Sequence, residues 1–103
     1  MDGLGRFADP CVLILTSLAG GDKHGYALIK DIEELAGAYL GPGTLYAALS
    51  RLEQRHLIEA LPAQDRRRPY RLTAAGAAEL TAQAARMQQL ATLSLGRLRM
   101  VPA

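Results

Sequence analysis

At 103 residues the chain has room for one domain and not two, and much of its 50% apolar content is alanine, so leucine and isoleucine must supply the buried area. No apolar run approaches the roughly 20 residues that span a bilayer, and the opening Met1–Arg6 lacks a basic region followed by an apolar stretch, so neither a membrane span nor a signal peptide is expected. A single cysteine, Cys11, excludes an internal disulfide and suits the cytoplasm.

The net charge of +2 is unevenly placed. Residues 1–50 hold three basic groups against six acidic ones, and residues 51–103 hold nine against four, every one of the nine an arginine. Arginine favours bidentate phosphate and base contacts over a diffuse charge, so the asymmetry points to a polyanion.

Asp9-Pro10 reads as N-cap and first residue of a helix, with the apolar block Cys11–Leu15 and Leu18 inside it and Gly20-Gly21 at its end. A second start follows at Asp22. From His24 to about Ala36, Leu28, Ile29, Ile32 and Leu35 fall at helical spacing, Lys30, Asp31, Glu33 and Glu34 take the opposite face, and Gly37 stops the helix. Gly41-Pro42 opens a third helix whose Leu45, Leu49 and Leu52 form one inward stripe. Its other side presents Thr44, Ala47, Ser50, Arg51, Gln54 and Arg55. Three short helices, the last two joined by a tight turn, make a helix-turn-helix.

After His56 the period changes. Leu57–Leu61 and Pro69–Thr73 read as two short strands joined by a loop with Asp65 and three consecutive arginines, and Pro62 and Pro69 suit the ends of an edge hairpin. Such a hairpin is unstable alone and must lean on the helices, which makes it a wing. Thr73 caps a last helix from about Ala74 to Leu98. Its apolar positions include Leu80, Ala84, Met87, Leu90, Ala91, Leu93 and Leu98. At about 37 Å it is longer than so small a domain covers, so the surplus apolar surface predicts a homodimer. The expected fold is mainly α with a small β-hairpin: a winged helix-turn-helix over residues 1–73 and a dimerisation helix over 74–103, one structural unit.

Three clusters carry functional expectations. Gly43, Thr44 and Ala47 are small enough for a close backbone approach to DNA, and Ser50 and Arg51 are placed to reach base edges. The same pattern also suits an ordinary amphipathic surface helix. Arg66, Arg67 and Arg68 suit a phosphate backbone or a minor groove, or else a solvated turn. Tyr26 and Tyr46 either donate a hydroxyl to phosphate or pack their rings with the hydroxyl at the rim.

His24-Gly25-Tyr26-Ala27-Leu28, then Gly41-Pro42-Gly43-Thr44-Leu45-Tyr46 with Arg51-Leu52-Glu53, then Arg66-Arg67-Arg68-Pro69-Tyr70-Arg71-Leu72-Thr73-Ala74-Ala75-Gly76 resemble the PadR family of bacterial transcriptional regulators in order and spacing, over about Cys11 to Leu98. The resemblance implies a cytoplasmic, nucleoid-associated winged-helix dimer, joined through its C-terminal helix, that usually represses from a pseudo-palindromic operator. It also implies DNA contacts from Tyr26, Gly43, Thr44, Tyr46, Ser50, Arg51 and Arg66–Arg68. The chain departs from the family pattern twice: Gly41 stands where the family often has a serine N-cap, and the last helix has no aromatic residue to stack a flat effector. Catalysis and metal binding are not expected, because no triad, carboxylate pair, phosphate-cradling glycine loop or Cys/His ligand set is apparent. The partners expected are double-stranded DNA and a second copy, with a small hydrophobic effector compatible with both and no cofactor. The competing reading is a winged-helix protein-interaction module without DNA contact.

Overall fold

The structure, a computed structural model, describes residues 9–102. The expectation about a leader concerns Met1–Arg6, which lie outside the described residues. Seven elements follow in order: α1 (Pro10–Ala19), β1 (Lys23–His24), α2 (Gly25–Ala36), α3 (Pro42–Gln54), β2 (Ile58–Ala60), β3 (Pro69–Leu72) and α4 (Ala74–Leu98). No helix among the described residues is long and apolar enough to cross a membrane.

Local signals account for the helix ends. The Asp9 carboxylate accepts the Cys11 N–H at 2.7 Å, and Pro10 brings a preset φ where no donor is needed. Gly37 ends α2 in the left-handed region (φ 65°), its N–H donating to the Glu33 carbonyl. Gly41 caps α3 through its backbone alone, as a residue without a side chain must. The second helix, however, does not start from Asp22. Its N-cap is His24, whose side chain accepts from the Ala27 N–H, because Lys23 and His24 are extended and paired in a strand.

That strand corrects the expected two-stranded wing. The sheet has three antiparallel strands in the order β1-β3-β2, with Lys23 opposite Tyr70 and His24 opposite Pro69 on one side of β3, and Ile58 opposite Leu72 on the other. Pro69 is thus the first residue of the central strand, not an edge position. The ladder tolerates it there because its carbonyl, which needs no N–H, accepts from Leu61 at 2.9 Å.

Ile14, Leu15 and Leu18 of α1, Leu28 and Ile32 of α2, Leu40, and Leu45, Ala48, Leu49 and Leu52 of α3 form the core with Leu57, Ile58 and Tyr70 of the sheet. Leu35 departs from the inward stripe expected of α2. It is exposed and borders a groove of about 260 Å³ with Val12, Leu13, Thr16, Ile32, Ala36 and Met87.

The last helix is joined to this body by a narrow fit. Thr73 Oγ1 accepts the Gly76 N–H at 3.0 Å and donates to the His56 carbonyl at 2.8 Å, tying the first turn of α4 to the turn that follows α3. Any Cβ on Gly76 would overlap the Leu57 carbonyl, so this turn approaches the sheet only as glycine. Leu80 packs on the core and Met87 borders the groove of α1 and α2, and beyond Met87 α4 runs into solvent, giving the molecule a long axis of 58 Å against 30 and 20 Å.

Candidate nucleic-acid interface

The wing owes its shape to its tip. Gln64 and Arg67 exchange two backbone hydrogen bonds (2.7 and 2.8 Å), and between them Asp65 and Arg66 both have positive φ, 50° and 67°. Positive φ at both central residues is the pattern of a type I′ turn, whose twist matches antiparallel strands. Asp tolerates that region; Arg66 enters it against its Cβ. Arg66, Arg67 and Arg68 are thereby held on one short, ordered protrusion. Among the described residues the ion pairs engage Lys23 and Arg71 and leave these three out.

The start of α2 meets the same surface. Gly25 is buried against Tyr46, where a Cβ would collide with the Tyr46 hydroxyl, so a glycine here lets the second and third helices close on one another. Tyr26 beside it is 66% exposed, and Tyr46 is 53% exposed despite that contact. The Lys30 ammonium stands 5.8 Å from the Tyr26 ring centroid, a cation–π arrangement that adds positive charge next to the tyrosine. Lys23 is spent inside the fold instead: it donates to the Ser17 and Gly21 carbonyls and pairs with Asp31 at 3.8 Å, while the buried Ser17 hydroxyl donates to the same carboxylate.

The structure brings together five of the residues expected in the site. Tyr26, Tyr46, Arg66, Arg67 and Arg68 line one depression of about 280 Å³, joined there by His24, Gly25 and Tyr70. Burial holds the Tyr70 hydroxyl above its ordinary pKa, with Glu53 and Tyr46 acting in the same direction and Arg68 against it. Beside the depression, Gly43, Ala47, Ser50 and Gln54 follow at i, i+4, i+7 and i+11 along the exposed side of α3, with open space around Gly43. Thr44 is also exposed, on the flank of that stripe away from Tyr46.

Arg51 is not among the residues brought together. It turns toward α1, its Nη2 3.7 Å from Cys11 Sγ, on a hollow lined also by Asp9, Arg55 and Glu79. The residue that sequence reasoning passed over is His24, whose ring reaches Arg67. Its signal was its place at the head of the His-Gly-Tyr run.

The residues expected at a dimer interface separate along α4. Leu80 is half-buried on the chain's own core and Met87 borders the α1–α2 groove, whereas Ala84, Leu90, Ala91, Leu93 and Leu98 are exposed. Leu90 is 65% and Leu93 56% exposed. Among the described residues no cluster of His, Cys, Asp and Glu is placed to hold a metal ion.

Comparison with known proteins adds a second line to this geometry. A family model described as the transcriptional regulator PadR-like family matches residues 14–82. The chain is 45% identical over 85 residues to a 37.1 kDa protein in transposon TN4556 of Streptomyces fradiae, a match covering 82% of this chain and 25% of that protein. It is 34% identical over 77 residues to the transcriptional activator GvpE2 of Halobacterium salinarum, covering 75% of this chain and 39% of that one. The chain thus spans well under half the length of these curated relatives. Among solved structures it is similar to a PadR family transcription regulator from Clostridium difficile R20291, with a TM-score of 0.78, 26% identity and coverage of 86% of this chain and 97% of that one. It is also similar to a transcriptional regulator from Clostridium thermocellum, with a TM-score of 0.72, 27% identity and coverage of 84% and 89%.

Proposed function

Because the chain belongs to the PadR-like family of transcriptional regulators, we propose that it is a sequence-specific DNA-binding regulator acting as a homodimer. The observation that carries this reading is the convergence of Arg66, Arg67 and Arg68 with Tyr26 and Tyr46 on one depression beside the exposed stripe of α3. In this reading α3 enters the major groove with Gly43, Thr44 and Ser50 nearest the bases, and the wing grips the flanking backbone. Arg51, lying on the α1 side, reaches a phosphate at the far edge.

The exposed leucines of α4 support pairing of two copies, which sets two recognition helices on half-sites about 10 bp apart and so a pseudo-palindromic operator. Repression is the simpler outcome, since occupying an operator needs no surface beyond the DNA contacts. The apolar groove between α1, α2 and Met87 supports a small hydrophobic effector that would sense the dimer state. The domain roles follow the same division, DNA binding in residues 1–73 and pairing in 74–103, in a cytoplasmic setting.

The test is titration of a DNA duplex at a series of salt concentrations. Each neutralised phosphate contributes about 0.9 to the slope of log affinity against log salt. Replacing Arg66, Arg67 and Arg68 together by alanine is expected to weaken operator and random duplexes alike and to flatten that slope by about 2.7 for each copy in the dimer, about 5.4 in all. Unchanged binding to both duplexes would sink the proposal and leave protein interaction as the use of the fold.

A further inference from the structure

His24 caps α2, but its ring has a second end. Nδ1 accepts the Ala27 N–H at 3.5 Å. A ring nitrogen that accepts a hydrogen bond carries no proton, so the neutral imidazole holds its proton on Nε2. Nε2 is therefore a donor, and it faces another donor: Nη1 of Arg67 lies 3.5 Å away. A guanidinium has no acceptor, so these two groups cannot satisfy each other. An oxygen atom with two lone pairs, seated beside both, satisfies them together.

The surroundings choose the charge of that oxygen. The depression that both residues line is completed by Tyr26, Tyr46, Arg66 and Arg68, and among the described residues no carboxylate lines it. His24 and Arg67 also border a second hollow, which Asp22 and Asp65 share. Among the described residues neither of those carboxylates forms an ion pair with Arg67, and Asp22 pairs instead with Arg71 at 3.8 Å. The acceptor that fits the first depression is a phosphate oxygen.

We propose that His24 and Arg67 form a two-pronged clamp on one phosphodiester of the duplex backbone, the imidazole Nε2–H and the guanidinium donating to the same phosphate. The clamp rests on the DNA-binding reading above and adds a residue to it. Its consequence is geometric: one phosphate is tied at once to the head of α2 and to the wing, which fixes the angle between the wing and the recognition helix on DNA. The two prongs also differ in kind. Arg67 brings a fixed charge and releases a counterion, whereas the part of His24 in the clamp is the hydrogen bond from Nε2–H.

That difference makes the clamp testable with His24→Asn and Arg67→Ala in the full chain. Asparagine is as good an N-cap as any residue, so His24→Asn preserves the start of α2 while removing Nε2–H. In fluorescence-anisotropy titrations against duplex DNA, His24→Asn is expected to raise Kd about tenfold with the salt slope unchanged. Arg67→Ala is expected to raise Kd and lower the slope by about 0.9 for each copy in the dimer, about 1.8 in all. Wild-type affinity in His24→Asn would overturn the clamp, as would a slope that falls as it does for Arg67→Ala. Failure of the underlying reading looks different, because wild-type protein would then show no salt-dependent duplex affinity at all.

Nitrogen NMR of the His24 ring supplies a readout independent of the variant's stability. The expected result is an Nε2–H tautomer in the free protein whose Nε2 proton shifts downfield on adding duplex. The shift should be smaller with inorganic phosphate at the same phosphate concentration. An Nδ1–H tautomer, or an equal shift with inorganic phosphate, would overturn the assignment to the DNA backbone.

Discussion

The leucines of the winged helix and the leucines at the far end of α4 are the same residue at the same kind of helical spacing, yet they meet opposite fates. Leu28 and Leu45 are fully buried by neighbouring elements of their own chain, while Leu90, Leu93, Leu95 and Leu98 are exposed on a helix that has outrun its domain. An apolar stripe records that a surface must be covered; it does not record by what. Within residues 9–73 the answer is the same chain for every leucine but Leu35 and those half-buried at the core's edge. Along distal α4 the answer proposed is a second copy, because among the described residues no further element of this chain lies beside the helix. Gly76 marks the boundary between the two regimes, since it seats the first turn of α4 on the sheet before the helix departs.

Three variants separate the regimes by their effect on the stability of the chain. The largest loss is expected for Leu28→Ala, which empties a site with no exposure: about 2–5 kcal/mol in urea unfolding, from lost transfer energy and the cavity left behind. A loss under about 1 kcal/mol would mean that the helices close over the gap and that this core is looser than its burial implies. Next comes Gly76→Ala. Backbone cannot yield as a side-chain tip does, so the overlap with the Leu57 carbonyl is expected to cost at the upper end of ~1–3 kcal/mol and to lower the melting temperature. No change would show that α4 shifts freely on the sheet, and the boundary would dissolve.

The smallest effect on the chain itself is expected for Leu90→Glu with Leu93→Glu. These side chains bury little in the single chain, so its unfolding free energy should move by no more than about 0.5 kcal/mol. Sedimentation should nevertheless show a dimer converted to monomer, and the melting temperature should lose its dependence on protein concentration. Unfolding of this variant would break the comparison in an informative way, because the winged helix would then lean on the second copy for its own fold.

The interface follows the same division between local and distant causes. Arg66–Arg68 were legible as an exposed basic run because three adjacent arginines cannot enter a core. Tyr26 and Tyr46 were legible only as ambiguous, since a phenol serves packing and hydrogen bonding alike. Arg51 read as part of the recognition surface on helical spacing, yet its long side chain follows the hollow beside Cys11, a direction set by α1, 40 residues earlier. His24 read as part of a turn. Its second contact is with Arg67, 43 residues later, and no local pattern encodes such a pairing.

The sequence by itself determined the four helices and all their ends but the start of α2, through the caps at Asp9 and Thr73, the prolines at the first turns of α1 and α3, the glycine after α2 and the apolar period between them. It also placed the wing and its arginines, because hydrophobic period, turn chemistry and charge are written within a few residues of where they act. Only the tertiary structure decided that the wing has a third strand, since a two-residue strand has no period to read and forms only because β3 offers it a partner. Only the tertiary structure turned Leu35 outward and set His24 against Arg67. In each case the cause is an element distant in sequence, and the chain states its surfaces more plainly than it states what will lie against them.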